Sequence, residues 1–145
     1  GIVQDYRYDY LCIEPKIVWA PSVFFEAEYK ATVSCVGGGI GEDTSLDPLW
    51  EVAQRLTLSL EFHDTEFRLS GEHFYNDLSK NQHLNIWLAD VSLIHKVGKW
   101  RFAASAINLF NKEQYRYTLY SAVQSYTSWI KLRPREFMVS VQYQW

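Results

Sequence analysis

The feature that most constrains this chain is an alternation with a period of two. From Phe25 to Cys35 the odd positions are Phe, Ala, Tyr, Ala, Val and Cys, and the even ones are Glu26, Glu28, Lys30, Thr32 and Ser34. From Trp50 to Phe62 the even positions are Trp, Val, Gln, Leu, Leu, Leu and Phe, set against Glu51, Ala53, Arg55, Thr57, Ser59 and Glu61. From Phe137 to Trp145 the odd positions are Phe, Val, Val, Tyr and Trp, set against Met138, Ser140, Gln142 and Gln144. Successive side chains of a strand point to opposite sides, so each run is a ribbon with one apolar and one polar face. Weaker runs fill 2–13, 66–76, 84–95 and 100–108, and two more lie at Tyr115–Tyr120 and Tyr126–Lys131. Pro48 suits a first helical turn, but the alternation from Trp50 onward fits a strand better.

The pattern predicts an all-β chain. Strands are expected near 2–13, 18–35, 50–63, 66–76, 84–95, 100–108 and 136–145, with 109–135 a long loop or hairpin. Residues 1–145 then form a single β-barrel domain or a C-terminal barrel fragment, an antiparallel up-and-down meander of about 7–8 strands, closed or partly closed. The connections at 14–17, 36–49, 63–66, 76–83, 96–99 and 109–135 run short, long, short, long, short, long. Short turns at one end and loops at the other are the habit of outer-membrane barrels. Folding the 63–66 turn sets Phe62 against Phe67, Leu60 against Leu69 and Glu61 against Arg68. Folding the 96–99 turn sets Trp100 against His95, Phe102 against Leu93 and Ala104 against Val91. Apolar then meets apolar, as cross-strand pairing requires. Folding 14–17 carries Cys12 to Trp19, far from Cys35, which excludes a disulfide between them.

Composition narrows the function classes. With 48% hydrophobic and 21% charged residues, the chain is not disordered. A net charge of -3 without a basic run argues against a nucleic-acid partner. No apolar run reaches the roughly 18 residues of a membrane helix. Two cysteines are too few for a disulfide scaffold. The opening Gly1-Ile2-Val3 already lies inside a strand pattern, the start expected of a segment cut from a longer protein.

Alternation does not say which face is inside. A soluble barrel turns its apolar face inward, whereas a membrane barrel turns it toward lipid. Trp19, Trp50, Phe62, Phe67, Trp87, Trp100 and Trp145 lie near strand ends on the apolar face, where the aromatic girdles of a membrane barrel belong. Trp19, Trp50, Trp87, Trp100 and Trp145 are therefore the candidate membrane-interface residues.

The ending Arg133-Pro134-Arg135-Glu136-Phe137-Met138-Val139-Ser140-Val141-Gln142-Tyr143-Gln144-Trp145 resembles the final strand of TonB-dependent outer-membrane receptors, particularly the Bacteroidetes-like kind. The stretch from Trp100 to Lys112, with Asn108-Leu109-Phe110-Asn111, looks like their penultimate strand and its end. Gly71-Glu72-His73-Phe74-Tyr75-Asn76 is similar to strand ends in the same barrels. The resemblance covers 50–145 well and the rest weakly. It implies a C-terminal barrel segment of a receptor for nutrient uptake, in the outer membrane, with lipid as its surroundings. The plug domain and the TonB contact belong to a full-length receptor and have no counterpart here. Family barrels have about 22 strands, so this chain is about a third of one. The alternative is a soluble lipocalin-like barrel that binds lipid or another small apolar ligand. Exposed edge strands also invite self-association.

No catalytic chemistry stands out, and the chain reads as a non-enzyme. His63, His73, His83 and His95 lack metal-site spacing, and no Cys-x-x-Cys occurs, so neither a metal nor another cofactor is expected. Gly37-Gly38-Gly39-Ile40-Gly41 is followed by no Lys-Ser/Thr and is not a phosphate loop. Glu26 and Glu28 share a strand face, more in keeping with a solvated or lumenal wall than with an acid–base pair. Between the last two strands lie Tyr115, Arg116, Tyr117, Tyr120, Tyr126 and Trp129. In receptor terms that is the last extracellular loop, so these six are the candidate ligand-binding residues, aromatic rings offering large contact area.

Overall fold

The computed structural model describes residues 6–40, 44–79, 82–120 and 125–145. Every regular element among them is a strand: β1 (Tyr6–Ile13), β2 (Lys16–Ser22), β3 (Phe25–Ile40), β4 (Thr44–Phe62), β5 (Thr65–Ser79), β6 (Gln82–Val97), β7 (Trp100–Ile107), β8 (Gln114–Tyr120), β9 (Ser125–Lys131) and β10 (Glu136–Tyr143). The main sheet runs β1-β3-β4-β5-β6-β7-β10, with β2 also on β3, and β8 and β9 form a separate hairpin. All pairings are antiparallel. The sheet does not close into a barrel: among the described residues β10 does not meet β1 or β2.

The expected turn at 14–17 is absent. β1 pairs with the far half of β3 (Cys12 opposite Ser34), and β2 pairs with its near half (Lys16 opposite Lys30). The two are one ribbon with a break at Glu14-Pro15, where Pro15 has no N–H to give to a ladder. The Ala31 N–H donates to the Pro15 carbonyl across the break at 3.0 Å. The true reversal is at Val23-Phe24, two apolar residues that carry no turn signal. Cys12 lies opposite Ser34, and Cys35 opposite Leu11. The cysteines are therefore neighbours in the sheet but point to opposite faces, and both are free. A bond between them stays excluded, for a different reason from the one expected.

The long connections expected at 36–49 and 76–83 are mostly strand. β3 and β4 stay paired out to Ile40 opposite Thr44, and β5 and β6 to Ser79 opposite Gln82. Residues 2–5, which the first expected strand includes, lie outside the described residues. In the glycine-rich end of β3, Gly38 has no room for a side chain and Gly37 does. A Cβ on Gly38 would clash with the Arg7 carbonyl oxygen, while one on Gly37 would meet nothing within 4 Å. Gly38→Ala is expected to loosen β1 from β3, read as faster amide exchange across 6–13. Gly37→Ala is the control and should leave exchange there unchanged.

Hairpin tips at the opposite end are tight. His63 and Gly98 open two-residue turns with φ of 51° and 57°. The tips also step along the sheet. Phe24 lies level with Glu61 and Asp64 with Lys96, through backbone bonds of 2.7 and 2.8 Å. Each hairpin thus ends two to three residues beyond the last. With strands about 4.8 Å apart and about 3.3 Å per residue, the strands lean by roughly 35–40° from the normal to the line of turns.

Candidate functional site

The registers sort the whole sheet into two faces. One carries Phe25, Ala27 and Tyr29 of β3, Leu56, Leu58 and Leu60 of β4, Phe67 and Leu69 of β5, Val91 and Leu93 of β6, Phe102 and Ala104 of β7, and Val139 and Val141 of β10. Across 25–35, 50–62, 65–75, 87–97, 100–106 and 137–143 this face has no Asp, Glu, Lys or Arg. The other face has Glu26, Glu28, Lys30, Glu51, Arg55, Glu61, Glu66, Arg68, Glu72, Asp90, Lys96 and Arg101 over the same lengths.

Along β6 and β7 the polar face is the more shielded one, whereas along β3 the order reverses, with Ala31 buried and Phe25, Ala27 and Tyr29 half-buried on the apolar face beside exposed Glu26 and Lys30. Along β7, Trp100, Phe102 and Ala104 are exposed while Arg101, Ala103 and Ser105 are half-buried. Along β6, Trp87, Leu93 and His95 are exposed, whereas Ile86 is buried and Leu88, Asp90 and Ser92 are half-buried. Three hollows open on this same side, each touching Glu72 or Arg68. Side chains converge on the concave side of a curved sheet and splay on the convex side. Along β6 and β7 the apolar face is therefore the convex one. Val139 is 80% and Phe137 72% exposed on it.

Charges on the concave side are paired. Across strands, Glu28 takes Lys16 at 3.0 Å and Arg55 meets Glu72. Two residues apart on one strand, Glu28 takes Lys30 at 2.6 Å and Arg68 lies 3.6 Å from Glu66. The cross-strand pairs need the opposite signs that alternation places on one face of adjacent strands.

The tryptophans expected at an interface fall into two groups. Trp19, Trp100 and Trp145 gather at the tight-turn end. Trp19 meets Phe25 edge-on at 5.7 Å, Trp100 lies 4.9 Å from Tyr143, and Trp145 meets Tyr143 edge-on at 5.7 Å. Phe24 and Phe62 join them at 6.5 Å. Trp50 and Trp87 stand at the far end, Trp87 stacked on His73 at 4.2 Å. Ten residues separate Trp87 from Val97 and twelve separate Trp50 from Phe62, which with the strand lean is about 25–30 Å between the two aromatic levels.

Sequence reasoning missed a polar chain on the apolar face. The Tyr29 hydroxyl donates to Gln54 Oε1 at 2.7 Å, Gln54 Nε2 and His73 Nδ1 are 3.1 Å apart, and His73 Nε2 and Asn85 Oδ1 are 3.0 Å apart. The chain crosses four strands near the Trp50–Trp87 level, with His73 opposite Trp87 and Asn85 two residues beyond it toward the far end. One arrangement satisfies every link: Gln54 donates to Nδ1, and a neutral His73 donates from Nε2. The visible signal was Gln54, a polar residue between Val52 and Leu56 on an otherwise apolar face.

The hairpin collects the ligand candidates on one element. Arg116 pairs with Trp129 and Leu119 with Tyr126, while Tyr115, Tyr117 and Tyr120 pair with Ile130, Ser128 and Ser125. Tyr126 and Trp129 are exposed. The side chains of Tyr115, Arg116, Tyr117 and Tyr120 lie outside the described residues, so no pocket is built from them. The hairpin's stem is well defined, however. Asn108 is 5% exposed. Its Nδ2 donates to the carbonyls of Lys112 and Arg133 at 2.8 and 2.7 Å, and its Oδ1 accepts from the Lys112 N–H at 2.9 Å. Its own N–H donates to Asp90 at 2.8 Å, and Asn111 Oδ1 accepts from the Arg135 N–H at 3.1 Å. Both asparagines sit at positive φ, 53° and 52°, which asparagine tolerates better than most residues. The Asn-Leu-Phe-Asn segment is thus the clasp that lets β10 return to β7 with a hairpin looped out between them.

Among the described residues no group of three or more His, Cys, Asp or Glu is placed to hold a metal ion. No protein-family model, curated protein or solved structure matches the chain.

Proposed function

We propose that this chain is a wall segment of an outer-membrane β-barrel, its convex face toward lipid and its concave face toward a polar lumen. The observation that carries this reading is the direction of the two faces along β6 and β7: Asp90, Ser92 and Arg101 sit on the more shielded side, and Trp87, Leu93, Trp100 and Phe102 on the exposed side. Water selects the reverse, since apolar burial contributes about 25 cal/mol per Å². An apolar-ligand barrel would likewise need its apolar face concave, so the exposure pattern favours the membrane over the lipocalin-like reading.

Three further features support it. The spacing of the two tryptophan groups matches an apolar band about 25 Å tall. The strand lean falls in the range of barrel walls. The Tyr29–Gln54–His73–Asn85 chain pairs its polar atoms with one another, as groups facing hydrocarbon must. The C-terminal segment of a TonB-dependent receptor is the specific barrel proposed, on the residues from Trp100 to Trp145 that resemble it. Its role would be passive: a polar wall beside a plug, with the β8–β9 hairpin and its aromatics among the ligand-contacting loops.

Tryptophan quenching tests the placement. Single-tryptophan variants reconstituted in vesicles should give Trp50 and Trp100 blue-shifted emission, quenched most by lipids brominated near the headgroup. Trp129 should respond to aqueous iodide instead. A chain that is monodisperse in detergent-free buffer, with Trp50 and Trp100 open to iodide and blind to brominated lipid, would overturn the proposal.

A further inference from the structure

We infer that β10 is the sheet's open docking edge, and that on the isolated chain its occupant is β10 of a second copy, paired antiparallel across a two-fold axis. The argument starts from parity. With β1 and β2 counted as the single ribbon they form, the sheet has seven ribbons in strict antiparallel order. An odd count leaves both outer ribbons running the same way. Closing the sheet on itself would bring β10 against β1–β2 in parallel, and so would stacking copies head to tail. Parallel ladders are the less stable kind per residue.

The two edges also differ in how they are guarded. β1–β2 is broken at Glu14-Pro15, shifts register between Trp19 and Ser22, contains Pro21, and carries Arg7, Asp9 and Lys16. These are the devices that blunt an edge. β10 has no proline and no register shift, and its one charge is Glu136 at the start. Gln144 gives its N–H to Lys99 of the β6–β7 turn at 2.9 Å. By alternation the N–H groups of Phe137, Val139, Val141 and Tyr143 point away from β7. Among the described residues nothing pairs with that side.

A two-fold pairing fits the β10 sequence. Placing Ser140 on the axis sets Val139 against Val141 and Phe137 against Tyr143 on the apolar face, and Glu136 against Gln144. No like charges oppose one another. The inference rests on topology and edge chemistry, and holds whether or not the convex face meets lipid.

Disulfide trapping tests it in micelles, in a chain carrying Cys12→Ser and Cys35→Ser. Ser140→Cys should give mostly cross-linked dimer under mild oxidation, while Val18→Cys on the β2 edge stays monomeric. Val139→Pro removes an outward N–H but no bond to β7, so adding it should cut Ser140→Cys dimer at least several-fold with β circular dichroism unchanged. A disulfide between Ser140→Cys and Val18→Cys, within one chain or between two, would overturn the inference. So would a Ser140→Cys chain that is folded yet stays monomeric.

Discussion

Asn108→Ala is expected to be the most damaging single truncation in this chain. It removes two donors and one acceptor from a side chain that is 5% exposed, and leaves the carbonyls of Lys112 and Arg133 and the N–H of Lys112 without that partner. Each lost bond to a buried group costs about 1 kcal/mol or more, so the sum is about 2–4 kcal/mol. A φ of 53° adds about 1 kcal/mol of backbone strain for alanine. Asn108→Gly separates the two terms, because it loses the same bonds but accepts the backbone, and should be the milder by about that last amount. Thermal loss of β circular dichroism in detergent measures both. Trypsin adds a local reading: with the clasp gone, cleavage after Lys112 and Arg135 should speed up before global unfolding. Asn108→Ala at wild-type stability would show that the hairpin stem is held by something else.

The alternation made the faces legible and left the registers ambiguous, and the reason is arithmetic. Leu60 was expected opposite Leu69 and is opposite Phe67, and Phe102 was expected opposite Leu93 and is opposite His95. Each error is two residues, because two-residue turns replace the four-residue turns expected at 63–66 and 96–99. A slip of two keeps every side chain on its own face, so apolar still meets apolar and the period-two signal cannot detect it. An odd slip would have announced itself. The break at Glu14-Pro15 was misread for a related reason. Proline marks a turn or an edge with equal force, and only the length of β3 shows which. β3 is long enough to carry β1 and β2 end to end.

The candidate site was legible to a similar degree. Trp19, Trp50, Trp87, Trp100 and Trp145 stand out because indoles near strand ends on one face are costly unless something apolar lies beside them. Which end each belongs to followed only from strand direction. The Tyr29–Gln54–His73–Asn85 chain was not legible, since its members are 12 to 56 residues apart and meet through registers that the pattern does not fix. Asn108-Leu109-Phe110-Asn111 was visible as a motif, but its task needs the partners at 112, 133 and 135.

Leu58→Arg and Thr57→Arg, adjacent in sequence, should part company by several kcal/mol. Leu58 lies between Ala27 and Leu69 on the apolar face, between the two tryptophan levels, eight residues from Trp50 and four from Phe62. Arginine there enters the depth at which a lipid-facing charge costs about 2–4 kcal/mol. Thr57 lies between Glu28 and Ser70 on the concave face. Arginine there gains a carboxylate neighbour and should change stability by less than about 1 kcal/mol, as exposed ion pairs do. Unfolding from vesicles reads the difference. In water the order inverts: Leu58→Arg relieves an exposed apolar surface, while Thr57→Arg still changes stability by less than about 1 kcal/mol. The pair thus reports the solvent on each side of the sheet by the sign of its difference. Equal tolerance of both substitutions in vesicles would mean that no hydrocarbon lies against Leu58, and the wall assignment would fail with it.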